Sequence, residues 1–168
     1  MYNQYSDRNY DNFLYQDSNL VFDNRFNYNN LLNDNGFQPF VFNIDEYTRF
    51  NNNFRTTIWT GRYLQVTLMS IPVKEIIGLE IHPNNDQFLK VVSGDAIVQM
   101  GRNRNNLTYQ RRVKEGFAIL VPSNTYHNII NVGNRPLKLY SIYAPIKHKP
   151  GTIHKTKKEA SEEDREDS

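Results

Sequence analysis

The chain has 168 residues, enough for one domain of the usual ~100–150 residues plus some spare sequence. Its 20 Lys and Arg against 18 Asp and Glu leave a net charge of +2, too small for the electrostatic footprint of a nucleic-acid binder. The lack of cysteine excludes disulfides, thiolate zinc sites and a Cys nucleophile, and the longest apolar run, Phe117 to Val121, is far short of the ~18 residues that span a bilayer.

Residues 1–36 are dominated by Asn, Asp, Tyr and Phe, with no proline and no glycine before Gly36. Scattered aromatics without contiguous aliphatic surface cannot offset the entropy of ordering, so this stretch is expected to be a disordered arm. The opening Met1-Tyr2-Asn3-Gln4-Tyr5 lacks the basic-then-apolar order of a secretory signal, and a cytoplasmic location without a membrane partner is the expectation. Residues 37–54 carry Phe37, Phe40, Phe42, Phe50 and Phe54, too much aromatic surface to remain solvated on a monomer. They are expected to pack on the domain that follows or across a homodimer.

From about Asn43 to Ala144, apolar and β-branched runs are cut by turn residues at roughly 8–12-residue spacing, the pattern of an all-β sandwich or barrel. Strands are expected at Thr57–Thr60, Tyr63–Ile71, Gly78–His82, Gln87–Val92 and Ala96–Met100. Further strands are expected at Leu107–Val113, Phe117–Val121, His127–Val132 and Leu137–Tyr143. The breaks hold turn chemistry, as in Pro83-Asn84-Asn85-Asp86, Ser93-Gly94-Asp95 and Pro122-Ser123-Asn124. No segment in this region sustains a helical period. About nine short strands suit a closed or jelly-roll barrel, placed at residues 37–145. Residues 146–168 form a charged tail, basic and then acidic, with a short helix expected near His154–Asp164. His148 and His154 lie among its lysines and are expected to be solvated.

Of the four histidines, His82 and His127 fall within or beside expected strands. His82 follows Glu80 by two residues, so both would share one strand face. A hairpin through the Pro83–Asp86 turn would bring Gln87 beside them. His127 follows the Pro122 turn, and closure of the sheet would let all four converge. The competing view is structural: Glu80 and His82 form a local hydrogen-bonded pair and His127 fills a polar pocket. Asp86 is a reserve ligand of the opposite strand parity. Arg102, Arg104, Arg111 and Arg112 flank one hairpin and read as solubilising charges.

These segments resemble the paired motifs of the cupin superfamily. The second motif runs Gly, five residues, Pro, any residue, Gly, two residues, His, three residues, Asn. It is filled here by Gly116, Pro122, Asn124, His127 and Asn131, with Asn124 standing for the second glycine. Anchored on Gly94, the first motif sets Gln87 at the family's Glu position and His82 and Glu80 at its two His positions. The resemblance covers roughly residues 55–145. It implies a cupin-like β-barrel (double-stranded β-helix) whose mouth holds a divalent metal, with Glu80, His82, Gln87 and His127 as ligands. Such a donor set suits Mn, Fe, Ni, Co or Zn.

Two functional classes follow. One is a metal-dependent enzyme resembling the mannose-6-phosphate-isomerase-like cupins, acting on a small hydroxy-carbonyl substrate such as a sugar, with Glu80 as ligand or general base; a dioxygenase would use the same metal. The other is a non-catalytic structural or binding protein of an assembled layer such as a bacterial spore coat, suggested by the Asn/Tyr-rich arm.

Overall fold

The structure is a computed structural model that describes residues 32–166; the arm expectation for residues 1–31 lies outside the described residues. A short helix, α1 (Ile44–Phe50), precedes eight strands: β1 (Arg55–Thr60), β2 (Gln65–Ile71), β3 (Asp86–Ser93), β4 (Asp95–Gly101), β5 (Tyr109–Lys114), β6 (Ala118–Val121), β7 (Tyr126–Asn131) and β8 (Leu137–Ala144). The chain then adds β9 (Ile153–His154) and helix α2 (Lys157–Glu166). The strands form two antiparallel sheets, one ordered β6-β3-β8-β2-β1-β9 and the other β5-β4-β7. Both pack face to face in the all-β barrel the alternating runs predict.

Strand alternation sets the interior. β8 buries Leu137, Leu139, Ser141 and Tyr143 while the residues between them are half-buried. Registers carry the same parity across the sheet: Leu139 lies opposite both Met69 and Val91, and Tyr143 opposite both Gln65 and Gln87. The inward row is therefore apolar towards Ile71 and Leu137 and polar towards Gln65, Gln87 and Tyr143. One half of the barrel is a hydrocarbon core, at ~25 cal/mol per Å2 of apolar burial the main stabilising term. The other half is lined by groups that need partners.

The opposite face of the large sheet is covered from the N-terminal side. Leu32 packs with Ile58 and Leu68, flanked by Phe40, Phe42 and Tyr47. Phe40 and Phe42 stack at 4.5 Å between ring centroids, and Phe54 is buried in the core, whereas Phe37 stays 73% exposed. Most of the aromatic segment thus packs on the barrel. Its helix α1 is a departure from the expected absence of helix. Seven residues are too few for a period to show, but Asn43 caps Glu46 N at 3.1 Å and Asp45 and Glu46 sit in the first turn.

Two further expectations are corrected. Gly78–His82 is no regular strand: Gly78 has φ +119° and donates its N–H to the Asn128 side chain, and this kink breaks the pairing. What remains is two isolated antiparallel bridges to β7, Ile76 to Ile130 and Glu80 to His127. The tail is also not simply solvated, because β9 pairs with β1 and both His148 and His154 are buried. Gly94, with φ +103°, makes the tight β3–β4 turn; a Cβ there would meet Leu137 Cα at 3.1 Å. Among the described residues no helix is long and apolar enough to cross a membrane.

Candidate metal centre

The Glu80–His127 bridge builds the site. Glu80 N–H donates to His127 O at 3.0 Å and His127 N–H donates to Glu80 O at 2.9 Å, so the two residues face each other directly across the pair. Directly opposed residues project to the same face. The β6–β7 turn is stitched to the segment carrying His82: Asn124 N–H donates to His82 O at 2.9 Å, and Ser123 N–H to the Asp86 carboxylate at 2.8 Å. Asn124 sits at φ +58°, the left-handed conformation that a motif glycine would supply. Asp86 is thereby a turn-binding residue.

Glu80, His82 and His127 each offer a ligand atom, all within 4.8 Å of one another. His82 Nε2 lies 3.5 Å and His127 Nε2 3.8 Å from Glu80 Oε2. The route differs from the expected hairpin, because β3 pairs with β6 and β8 rather than with residues 78–82. Gln87 still faces inward from β3; its Nε2 donates to Ser141 Oγ at 2.8 Å and its Oε1 is buried without a partner.

The electrostatics suit ligation. Burial alone raises the Glu80 carboxyl, but the adjacent His82 and then the Arg55 guanidinium outweigh it and hold the pKa at about 2. Burial lowers the His127 pKa, partly opposed by Glu80, which keeps the ring neutral. His127 Nδ1 lies 3.1 Å from Thr125 O, and since a carbonyl only accepts, Nδ1 carries the proton. That leaves the Nε2 lone pair facing Glu80 and His82, the arrangement of a metal-ligating imidazole. His82 Nδ1, His127 Nε2, Gln87 Oε1 and the Thr57 and Thr67 hydroxyls are all buried with no hydrogen-bond partner. Each such group costs ~1–3 kcal/mol, so their concentration in one half of the barrel points to partners outside the chain.

Sequence reasoning missed two residues here. Arg55 opens β1, is 1% exposed, and reaches Glu80 Oε1 with Nη2 at 3.4 Å. His148 comes in from the tail, edge-on to Tyr143 with centroids 5.1 Å apart, and Tyr143 is edge-on to His82 at 5.6 Å. Burial, with Arg55 adding to it, pushes the His148 pKa down to about 2. Only the inward parity of Arg55 in β1 and the packing of His148 on Tyr143 reveal them; as sequence they look like ordinary surface cations. The four arginines of the β4–β5 hairpin are exposed, as their solubilising reading requires.

Comparison with known proteins fits this geometry. Residues 67–143 match the Cupin domain family. The chain is 53% identical over 146 residues to the uncharacterized protein YrkC of Bacillus subtilis (strain 168), spanning 87% of this chain and 73% of YrkC. The chain belongs to the cupin superfamily. The crystal structure of BH2720 from Bacillus halodurans is similar to this cupin at TM-score 0.77 and 56% identity, covering 77% of this chain and 98% of that one. The uncharacterized protein L612 of Acanthamoeba polyphaga mimivirus is 42% identical over 117 residues, covering 69% of this chain and 71% of L612. The family matched at residues 67–143 includes Glu80, His82, Gln87 and His127 but neither Arg55 nor His148.

Proposed function

We propose that this cupin is a metal-dependent, sugar-isomerase-like enzyme acting on a small hydroxy-carbonyl compound. The observation that carries this reading is the set of unpartnered buried polar atoms around Glu80, His82 and His127. Two imidazoles and one carboxylate fit a divalent ion of the Mn, Fe, Ni, Co or Zn class, and Gln87 Oε1 is positioned to add a neutral oxygen. Such an ion supplies Lewis-acid polarisation of a carbonyl and its neighbouring hydroxyl. His82 and His127 hold the ion. Glu80, with its pKa held at about 2, stays anionic at physiological pH, which suits ligation better than general-base work. The Thr57 and Thr67 hydroxyls supply donors and acceptors that a hydroxylated ligand satisfies and an apolar one does not. A sugar substrate, a homodimer and a cytoplasmic location belong to the same reading.

The test is proton exchange. Metal-loaded protein incubated with dihydroxyacetone or glyceraldehyde in D2O should introduce deuterium beside the carbonyl, read by NMR, and the His127→Ala variant should not. Exchange no faster with the parent than with the variant would overturn the reading.

A further inference from the structure

Resting on that hydroxy-carbonyl reading, we propose that His148 is a substrate-contacting residue, its Nε2 meeting a hydroxyl of the bound compound rather than the metal ion. Three observations place it there. First, the backbone of His148 is fixed by a buried amide: Gln65 Nε2 donates to His148 O at 2.8 Å, and His148 N–H donates to Gln65 Oε1 at 2.9 Å. The preceding residues are tied down as well, because Asn85 Nδ2 donates to the carbonyls of Pro145 and, at 3.1 Å, Ile146. A segment beyond the last long strand is thus built into the barrel. Gln65 lies opposite Tyr143 in the sheet, so the clamp presents the His148 ring to the polar end of the interior.

Second, His148 is 9% exposed and its Nε2 is buried without a hydrogen-bond partner. A buried nitrogen left in that state forfeits a hydrogen bond, which a ligand hydroxyl would restore. Third, His148 is not one of the side chains whose ligand atoms gather within 4.8 Å of one another, which are Glu80, His82 and His127. It is separated from His82 by Tyr143, against which both rings stand edge-on. Its nitrogen is therefore left for a group other than the ion, and Tyr143 links its ring to that of His82. A hydroxyl beyond the pair that the ion would bind is the group His148 Nε2 fits.

The variants that test this are His148→Phe, which keeps the ring against Tyr143 and leaves the Gln65 clamp on the backbone intact, and His148→Gln, which restores a polar group. The probes are glycolohydroxamate, a metal-chelating mimic of an enediolate with one further hydroxyl, and acetohydroxamate, which lacks that hydroxyl. Affinities are measured by calorimetry on metal-loaded protein, with metal content determined beside each titration. The expected result is equal metal content throughout, glycolohydroxamate weakened about tenfold in His148→Phe, and an intermediate value in His148→Gln. Acetohydroxamate should bind all three proteins alike. Unchanged glycolohydroxamate affinity in His148→Phe overturns the proposal, as does equal weakening of both probes or loss of metal. A parent that binds neither hydroxamate overturns the ligand class. A parent that takes up no metal defeats the proposed function itself, a separate outcome from these.

Discussion

Glu80→Gln removes one charge from the barrel interior and leaves the side-chain shape nearly unchanged. Arg55 Nη2 lies 3.4 Å from Glu80 Oε1, and both side chains are largely shielded from water. At an effective dielectric of ~20, two unit charges at that separation attract by about 5 kcal/mol. The amide oxygen retains part of the contact, so the expected destabilisation of metal-free protein is about 3 kcal/mol, the range seen when one partner of a buried pair is removed. For a chain of this length that lowers Tm by roughly 6–12 °C. Thermal and urea unfolding at pH 7, after stripping metal with chelator, read the effect. The double variant Arg55→Met/Glu80→Gln removes the guanidinium as well and should be more stable than the sum of the two single losses predicts. A Glu80→Gln Tm within 2 °C of the parent, or strict additivity in the double variant, would refute the claim that Arg55 and Glu80 are electrostatically coupled.

The remaining predictions concern ligation and acid. His127→Ala should abolish metal uptake measured by elemental analysis, whereas Gln87→Ala should only weaken it, because an amide adds no charge. His148 is neutral in the fold, with its pKa lowered from 6.5 to about 2, so below pH 6.5 the unfolded state binds a proton that the native state refuses. Stability of metal-free protein should therefore fall by up to about 1.4 kcal/mol per pH unit below 6.5, and His148→Phe should flatten that slope in urea titrations. Glu80 is depressed from 4.5 to about 2, so its contribution is complete above pH 4.5 and fades as pH falls towards 2. The stability gap between parent and Glu80→Gln, about 3 kcal/mol at neutral pH, should close over that window and not before it.

Most of the barrel is legible in the sequence because each long strand has one buried face, and a period of two registers that directly. The Gly116-to-Asn131 spacing also locates His127, and Asn124 takes the left-handed backbone that its place in the motif requires. The Gly78–His82 segment shows where pattern fails. Its alternation is real, yet the kink at Gly78 depends on a hydrogen bond to Asn128, fifty residues away. Glu80 and His82 still reach His127, through a cross-strand bridge instead of a hairpin. Arg55 and His148 were illegible for a related reason. A cation at the start of a strand and a histidine in a basic tail have no local mark of burial; the β1–β9 pairing and the Gln65 clamp bury them through contacts distant in sequence. Helix α1 had a local signal in Asn43 and Glu46, but a cap without a long amphipathic run carries little weight against surrounding strands.

Glu80, His82 and His127 are proposed to hold a divalent ion. Elemental analysis of protein purified without a histidine tag, before and after exposure to Mn, Fe, Ni, Co and Zn, tests it most directly. The parent should take up about one ion per chain and His127→Ala none. A parent that stays metal-free when offered all five ions, or a His127→Ala variant that binds them equally well, would contradict it.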